Sequence, residues 1–256
     1  MTRLTNEAGP FGTQMQEFFR KQALGCRNIR VGRHCHVYTS GQRDAMVYFI
    51  ESGQVKLMLP SAEGKECILA VRTPGEIFGE LCLSGQTSRL ETAVAMQDVG
   101  LKQMPSRNFL MGLKQESMLE GLIQYLTVRL AEQQEVIAEL ATENSEHRLA
   151  RTLLYLGERH GSSEARGTRI GLRLSQEELS AMVGTTRPRI GIFLKKFRAL
   201  GLLRLNEERC IVIEETKLED YLLRDTSAEP SGGNGSRRLE TNHPKSLRFV
   251  PESSAN

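Results

Sequence analysis

The 256-residue sequence predicts an α+β chain: an N-terminal jelly-roll-like β-roll, a long dimerisation helix and a C-terminal winged helix-turn-helix. Three observations carry this fold class. Short β-branched and aromatic runs separated by glycine-containing turns fill residues 25–113. A heptad stripe lies within 114–144. A capped pair of short helices joined by a glycine falls within 145–225.

The β region starts near Arg27, after a leader (residues 1–24) expected to be partly disordered around one short helix bearing Phe11, Phe18 and Phe19. Residues 36–39, 46–50, 55–59 and 67–71 read as strands, and 40–42, 51–54 and 62–65 as turns. Strands this closely spaced leave no room for crossover helices, so they pair as a sandwich or roll. His34 and His36 are expected on one strand face, with Cys35 on the other.

The period then changes. Leu119, Ile123, Leu126, Leu130, Gln133, Ile137, Leu140 and Asn144 follow an alternating four-three spacing, the a/d seam of a coiled coil. Two apolar positions per heptad form the narrow stripe that faces another helix, so a homodimer is expected along it. A polar break at Thr142, Glu143, Asn144 and Ser145 serves as a hinge before a second helix over 147–159. A Gly/Ser-rich loop follows over 161–167. Residues 226–256 are rich in Ser, Gly, Asn and Pro and are expected to be a disordered tail.

Within 145–225, Leu172, Arg173 and Leu174 read as a short strand. Ser175 and Glu178 then fit a capping box, Leu179, Met182 and Val183 an apolar helix face, and Gly184 a helix stop. Thr186 is placed to cap the next helix, and Pro188 lies in its first turn, where a missing N–H costs little. Ile190, Phe193, Leu194 and Phe197 share its buried face. Residues 202–205 and 210–213 read as a two-stranded wing. Two short helices joined by a glycine, the second opening with basic residues, are the helix-turn-helix plan. The start of the second helix meets base edges in the major groove, where an arginine can bond guanine O6 and N7 together. Arg187 is the candidate reader and Arg189 a second reader or phosphate clamp. Thr185, Thr186, Lys195 and Lys196 suit phosphates, with Ser175 and Pro188 at the helix starts completing the interface. Arg204 and Arg209 on the wing are candidate backbone contacts.

The bulk numbers agree with a DNA-binding chain without naming one. Net charge is only +3, yet residues 179–206 hold six Lys or Arg and no acid. No run of about 18 apolar residues suggests a membrane span. The N-terminus lacks a secretory pattern, and five scattered cysteines without CxxC suit a reducing cytosol, so a cytoplasmic location is expected. No P-loop, Gly-x-Ser-x-Gly, His-Glu-x-x-His or paired-carboxylate cassette is present, so catalysis is not expected, and because the Cys and His residues are not clustered no metal or haem site is expected.

Pro74-Gly75-Glu76-Ile77-Phe78-Gly79-Glu80-Leu81, the long helix and residues 174–203 together resemble the CRP/FNR family of bacterial transcription regulators. The similarity spans about 27–222. It implies a cyclic-nucleotide-binding-like roll, a dimer on a palindromic operator in double-stranded DNA, and contact with RNA polymerase. It also assigns the arginine opening the recognition helix to Arg187. Where family members carry a glutamate and a later arginine, this chain has Pro188 and Ile192, which implies a different operator. The resemblance further implies an effector site, with cAMP or another cyclic nucleotide as candidate. Gly79, Glu80 and Leu81 match the strand end that binds ribose, and Arg89 the phosphate grip. Gln133 and Gln134 match the long-helix positions that meet the base. Leu90 and Glu91 depart from the small residues expected after that arginine. Several readings stay open: a nucleotide site, a repurposed roll in which Glu80 and Arg89 form a structural ion pair in a redox-responsive or constitutive regulator, or a nucleotide-binding subunit that never touches DNA.

Overall fold

The computed structural model describes residues 10–21, 25–60, 66–86 and 88–225. Helix α1 (Pro10–Lys21) leads into eight strands: β1 (Arg27–Val31), β2 (His36–Tyr38), β3 (Met46–Ser52), β4 (Val55–Pro60), β5 (Glu66–Arg72), β6 (Ile77–Phe78), β7 (Thr92–Ala95) and β8 (Val99–Pro105), with a 3-10 turn at Glu80–Ser84. They form two antiparallel four-stranded sheets, ordered β1-β8-β3-β6 and β2-β7-β4-β5. Tyr38, Tyr48, Ile50, Val55, Leu57, Phe78 and Leu101 fill the space between the sheets. Gly53, at φ +87°, makes the β3–β4 turn, where an added Cβ would strike the Asp98 carbonyl and Val99. His34 lies in the β1–β2 turn at φ +64°, not on a strand, so it does not share a strand face with His36.

The leader is more than a loose segment. In α1, Met15, Phe18 and Phe19 are buried, and with Phe11 they form an i, i+4, i+7, i+8 stripe. Phe19 stacks on Phe49 at 5.1 Å and Phe11 on Tyr125 at 4.9 Å, so α1 ties the roll to the long helix. Burying one such aromatic contributes about 1.5–3 kcal/mol. Residues 1–9 and 22–24 of the leader, and the expected tail from 226, lie outside the described residues.

Helix α2 (Ser106–Gln115), which the sequence pattern did not separate from the roll, packs Phe109 and Leu113 beneath β3 and α1. A kink with Ser117 at φ +57° precedes α3 (Leu119–Thr142). Ile123, Leu130, Ile137 and Leu140 of the heptad stripe are exposed on α3, while Leu122 and Leu126 pack toward the roll. Asn144 is not a seam residue. It caps α4 (Ser145–His160), its side chain accepting from the backbone N–H groups of Glu146 and His147.

The loop expected over 161–167 begins instead as strand β9 (Gly161–Ser163), which pairs with β10 (Thr168–Ile170) in a hairpin. The expected strand at Leu172–Leu174 is irregular, because the chain has already left the sheet after Ile170 and drops Leu172 into the core. Helices α5 (Gln176–Val183) and α6 (Arg187–Ala199), strands β11 (Leu203–Leu205) and β12 (Ile211–Ile213), and helix α7 (Glu215–Asp225) complete the C-terminal domain. The wing is a four-stranded sheet ordered β11-β12-β10-β9.

Candidate nucleic-acid interface and sensor core

The helix pair is set by local chemistry. Ser175 Oγ accepts from the Glu178 amide, and the Glu178 carboxylate accepts from the Ser175 amide, so the capping box is complete and Ser175 is occupied by it. Gly184 ends α5 at φ +69°. Thr186 stands at the N-cap of α6, but its side chain makes no cap bond; the expected hydroxyl cap is absent, and Pro188 in the first turn removes one of the amides that needs one. Ile190, Phe193, Leu194 and Phe197 are buried against the domain core.

That burial turns the opposite side of α6 outward. Arg187, Pro188, Arg189, Ile192 and Lys195 are exposed, with Thr185 and Thr186 at the turn. Arg189 lies over the Phe193 ring at 5.8 Å. Lys196 is held differently from a free phosphate clamp: its ammonium is 2.6 Å from Glu146 of α4 and 3.0 Å from the Tyr221 hydroxyl of α7. The Glu146 hydrogen bond, then that of Tyr221, push its pKa above the ordinary lysine value. Arg204 likewise bonds Glu164 at 3.0 Å and the Arg166 carbonyl at 3.1 Å, bracing the wing. Arg209 occupies the β11–β12 turn at φ +60°.

The C-terminal domain is fastened to the roll. Ile68 and Val71 of β5 share one apolar cluster with Leu149, Leu153, Leu179 and Val183. Lys56 of β4 meets Glu178 at 3.2 Å, and Gln54 Nε2 donates to the Gly171 carbonyl at 3.4 Å. Arg159 of α4 joins Glu76 of the Pro-Gly-Glu motif at 3.3 Å to Glu132 of α3 at 3.1 Å. Glu76 also meets Arg72 at 3.4 Å and accepts from the Thr73 amide at 2.8 Å. Burial alone would raise the Glu76 pKa; Arg72, Arg159 and the Thr73 amide overcome it and hold the carboxylate ionised.

Inside the roll the cassette residues are brought together, with partners that the sequence did not suggest. Arg89 does not pair with Glu80 or Glu91. It bonds Asp44 at 2.9 Å, the Gly79 carbonyl at 2.7 Å and the Met46 carbonyl at 2.6 Å, with its guanidinium 4.1 Å from the Tyr38 ring centre. Its side chain is 4% exposed. Glu80 meets Arg129 of α3 at 2.9 Å. Glu91 accepts from the Tyr38 hydroxyl at 2.9 Å, and burial raises its pKa. Leu81 and Leu90 are exposed, at 42% and 49%. Gln133 and Gln134 are exposed on α3. Among the described residues, Glu80 Oε2, Arg89 Nε and Arg72 Nε, with Glu143 Oε2 at the end of α3, are buried without a hydrogen-bond partner. Asp44 and Arg129 escaped the sequence reading because neither belongs to a motif. No helix among the described residues is long and apolar enough to cross a membrane, and no cluster of three His, Cys, Asp or Glu is arranged for a metal.

A β-roll joined through a long helix to a docked helix-turn-helix defines a sensor-linked DNA-binding regulator. Residues 29–116 match the cyclic nucleotide-binding domain family model, and 147–221 match the Crp-like helix-turn-helix domain model. The chain is 28% identical over 185 residues to a CRP-like cAMP-activated global transcriptional regulator of Mycobacterium tuberculosis, covering 71% of this chain and 82% of that protein. It is 32% identical over 164 residues to the transcriptional regulator SdrP of Thermus thermophilus, covering 64% and 77%. Among solved structures, a double mutant of CooA from Carboxydothermus hydrogenoformans superposes with a TM-score of 0.68 at 25% identity, covering 77% of this chain and 88% of that one. The chain belongs to the CRP/FNR family of transcription regulators.

Proposed function

We propose that the chain acts as a homodimer on a palindromic operator in double-stranded DNA, influencing RNA polymerase from a cytoplasmic location, and that it carries no catalytic step. The observation that carries this reading is the exposed Arg187 at the first residue of α6, on a helix whose other side is buried. Arg187 reads a base edge; Arg189, Lys195, Thr185 and Thr186 hold phosphates around it. The exposed apolar residues Ile123, Leu130, Ile137 and Leu140 supply the dimer seam. Selection of bound sequences from random duplexes tests the reading; enrichment of two inverted half-sites about one helical turn apart supports it.

For the sensor core, the geometry supports a regulator that works without a cyclic nucleotide. Arg89 already directs three of its five N–H donors at Asp44 and two carbonyls, so its charge is balanced by a buried carboxylate with no phosphate present. A second reading, a cyclic nucleotide such as cAMP, is favoured by the unpaired Glu80 Oε2 and Arg89 Nε and by the cAMP-activated relative. There Glu80 would accept from a ribose hydroxyl, Arg89 Nε would face the phosphate, and Gln133 and Gln134 would meet the base, with Gly79, Leu81 and Leu90 framing the site. Calorimetry of the full chain with cAMP and cGMP distinguishes the two. Absence of heat at millimolar ligand supports the first reading; saturable heat that Arg89→Ala abolishes supports the second.

A further inference from the structure

Pro188, Ile192, Lys195 and Ala199 are spaced i, i+4, i+7, i+11 and form one exposed stripe on α6, opposite the buried Ile190, Phe193, Leu194 and Phe197. Ile192 is 64% exposed in the middle of that stripe, flanked by Arg187 before it and Lys195 after it. A β-branched apolar side chain gains nothing for helix formation there, touches no core, and interrupts a basic surface. Its neighbour Gly191 has no side chain to screen it, and an added Cβ would press on Gln176 Oε1 at 3.3 Å.

We propose that Ile192 is a specificity-determining residue that recognises the C5-methyl group of a thymine in each half-site. This rests on the DNA-binding reading above and adds which base the helix reads beyond Arg187. Thymine is the base that offers an apolar group on its major-groove edge, and an exposed isoleucine has no hydrogen bond to give any other. Position follows from geometry. Ile192 lies five residues beyond Arg187, about 7.5 Å along the helix axis. Stacked base pairs advance about 3.4 Å each. A helix lying in the groove is inclined to the duplex axis, so the methyl belongs to a base pair within about two steps of the guanine that Arg187 contacts.

The test uses the full chain and the duplex recovered by selection. Each thymidine of both half-sites is replaced in turn by deoxyuridine, which keeps Watson–Crick pairing and removes only the methyl. Affinity is read by fluorescence anisotropy. The expected result is one position per half-site, within about two steps of the Arg187 guanine, at which deoxyuridine weakens wild-type binding about four-fold per half-site. Ile192→Ala is expected to bind the thymidine and deoxyuridine duplexes equally, while 5-methylcytosine at that position restores part of the wild-type affinity relative to cytosine. Indifference of the wild type to every methyl, or undiminished discrimination by Ile192→Ala, overturns the proposal while leaving operator binding intact. A wild-type protein that enriches no sequence overturns the regulator reading itself, and this one with it.

Discussion

The Lys56 ammonium on the roll lies 3.2 Å from the Glu178 carboxylate at the head of α5. Both side chains are largely shielded, at 13% and 18% exposure. Glu178 thus serves two structures: it closes the capping box with Ser175 and docks the C-terminal domain on the roll. The two roles separate by substitution. Lys56→Ala is expected to cost about 1 kcal/mol of docking, and Glu178→Ala about 1 kcal/mol more through the lost cap. Hydrogen exchange over α5 checks this: both variants lose protection, Glu178→Ala the more.

Arg89 and Asp44 form the most enclosed ion pair of the sensor core, at 4% and 9% side-chain exposure. Removing one partner strands the other charge. Asp44→Asn is expected to destabilise the chain by about 3 kcal/mol, read as a lower denaturation midpoint in urea. An unchanged midpoint would mean that the pair is not the anchor its geometry indicates.

His160 ends α4 beneath Arg159, Glu76 and Arg72. Burial lowers its pKa from 6.5 to about 4, against an opposing pull from Glu76. The unfolded chain binds a proton below pH 6.5 while the folded chain does not until about pH 4, so this contribution is full above 6.5 and is lost as pH falls through that window. It amounts to at most about 3 kcal/mol. His160→Gln is expected to flatten stability between those limits. Glu76, whose pKa is depressed, gives its own loss only at lower pH, as acid reaches its folded pKa. Urea titrations at stepped pH separate the two.

The exposed seam on α3 makes dimerisation sensitive to charge. Leu130→Glu places a carboxylate in the apolar stripe and is expected to shift the chain to monomer in sedimentation, with loss of operator binding and little change in far-UV circular dichroism. A dimer that survives would move the interface elsewhere.

What the sequence disclosed was what neighbours along the chain decide. Ser175, Glu178 and Gly184 declared α5 because a cap and a left-handed stop act within a few residues. The buried face of α6 followed from 3.6-residue periodicity. The partners of Arg89 and Glu80 did not follow, because Asp44 and Arg129 reach them only after two sheets and a helix have assembled. Local signals also compete. Asn144 continues the heptad count, yet the Asn-Ser-Glu start of α4 claims it as a cap. Phe11, Phe18 and Phe19 marked a short helix in the leader, but Met15 went unread, and only the aromatic rings waiting on β3, α2 and α3 reveal what the helix covers.

The most direct test compares wild type with Arg187→Ala on the selected operator at fixed salt. If Arg187 pairs with a guanine in each half-site, the variant loses about 10- to 100-fold per half-site and its preference at that base pair disappears, while weak binding to bulk DNA persists. Equal affinity and unchanged base preference in the two proteins would contradict the assignment of α6 as the reading helix.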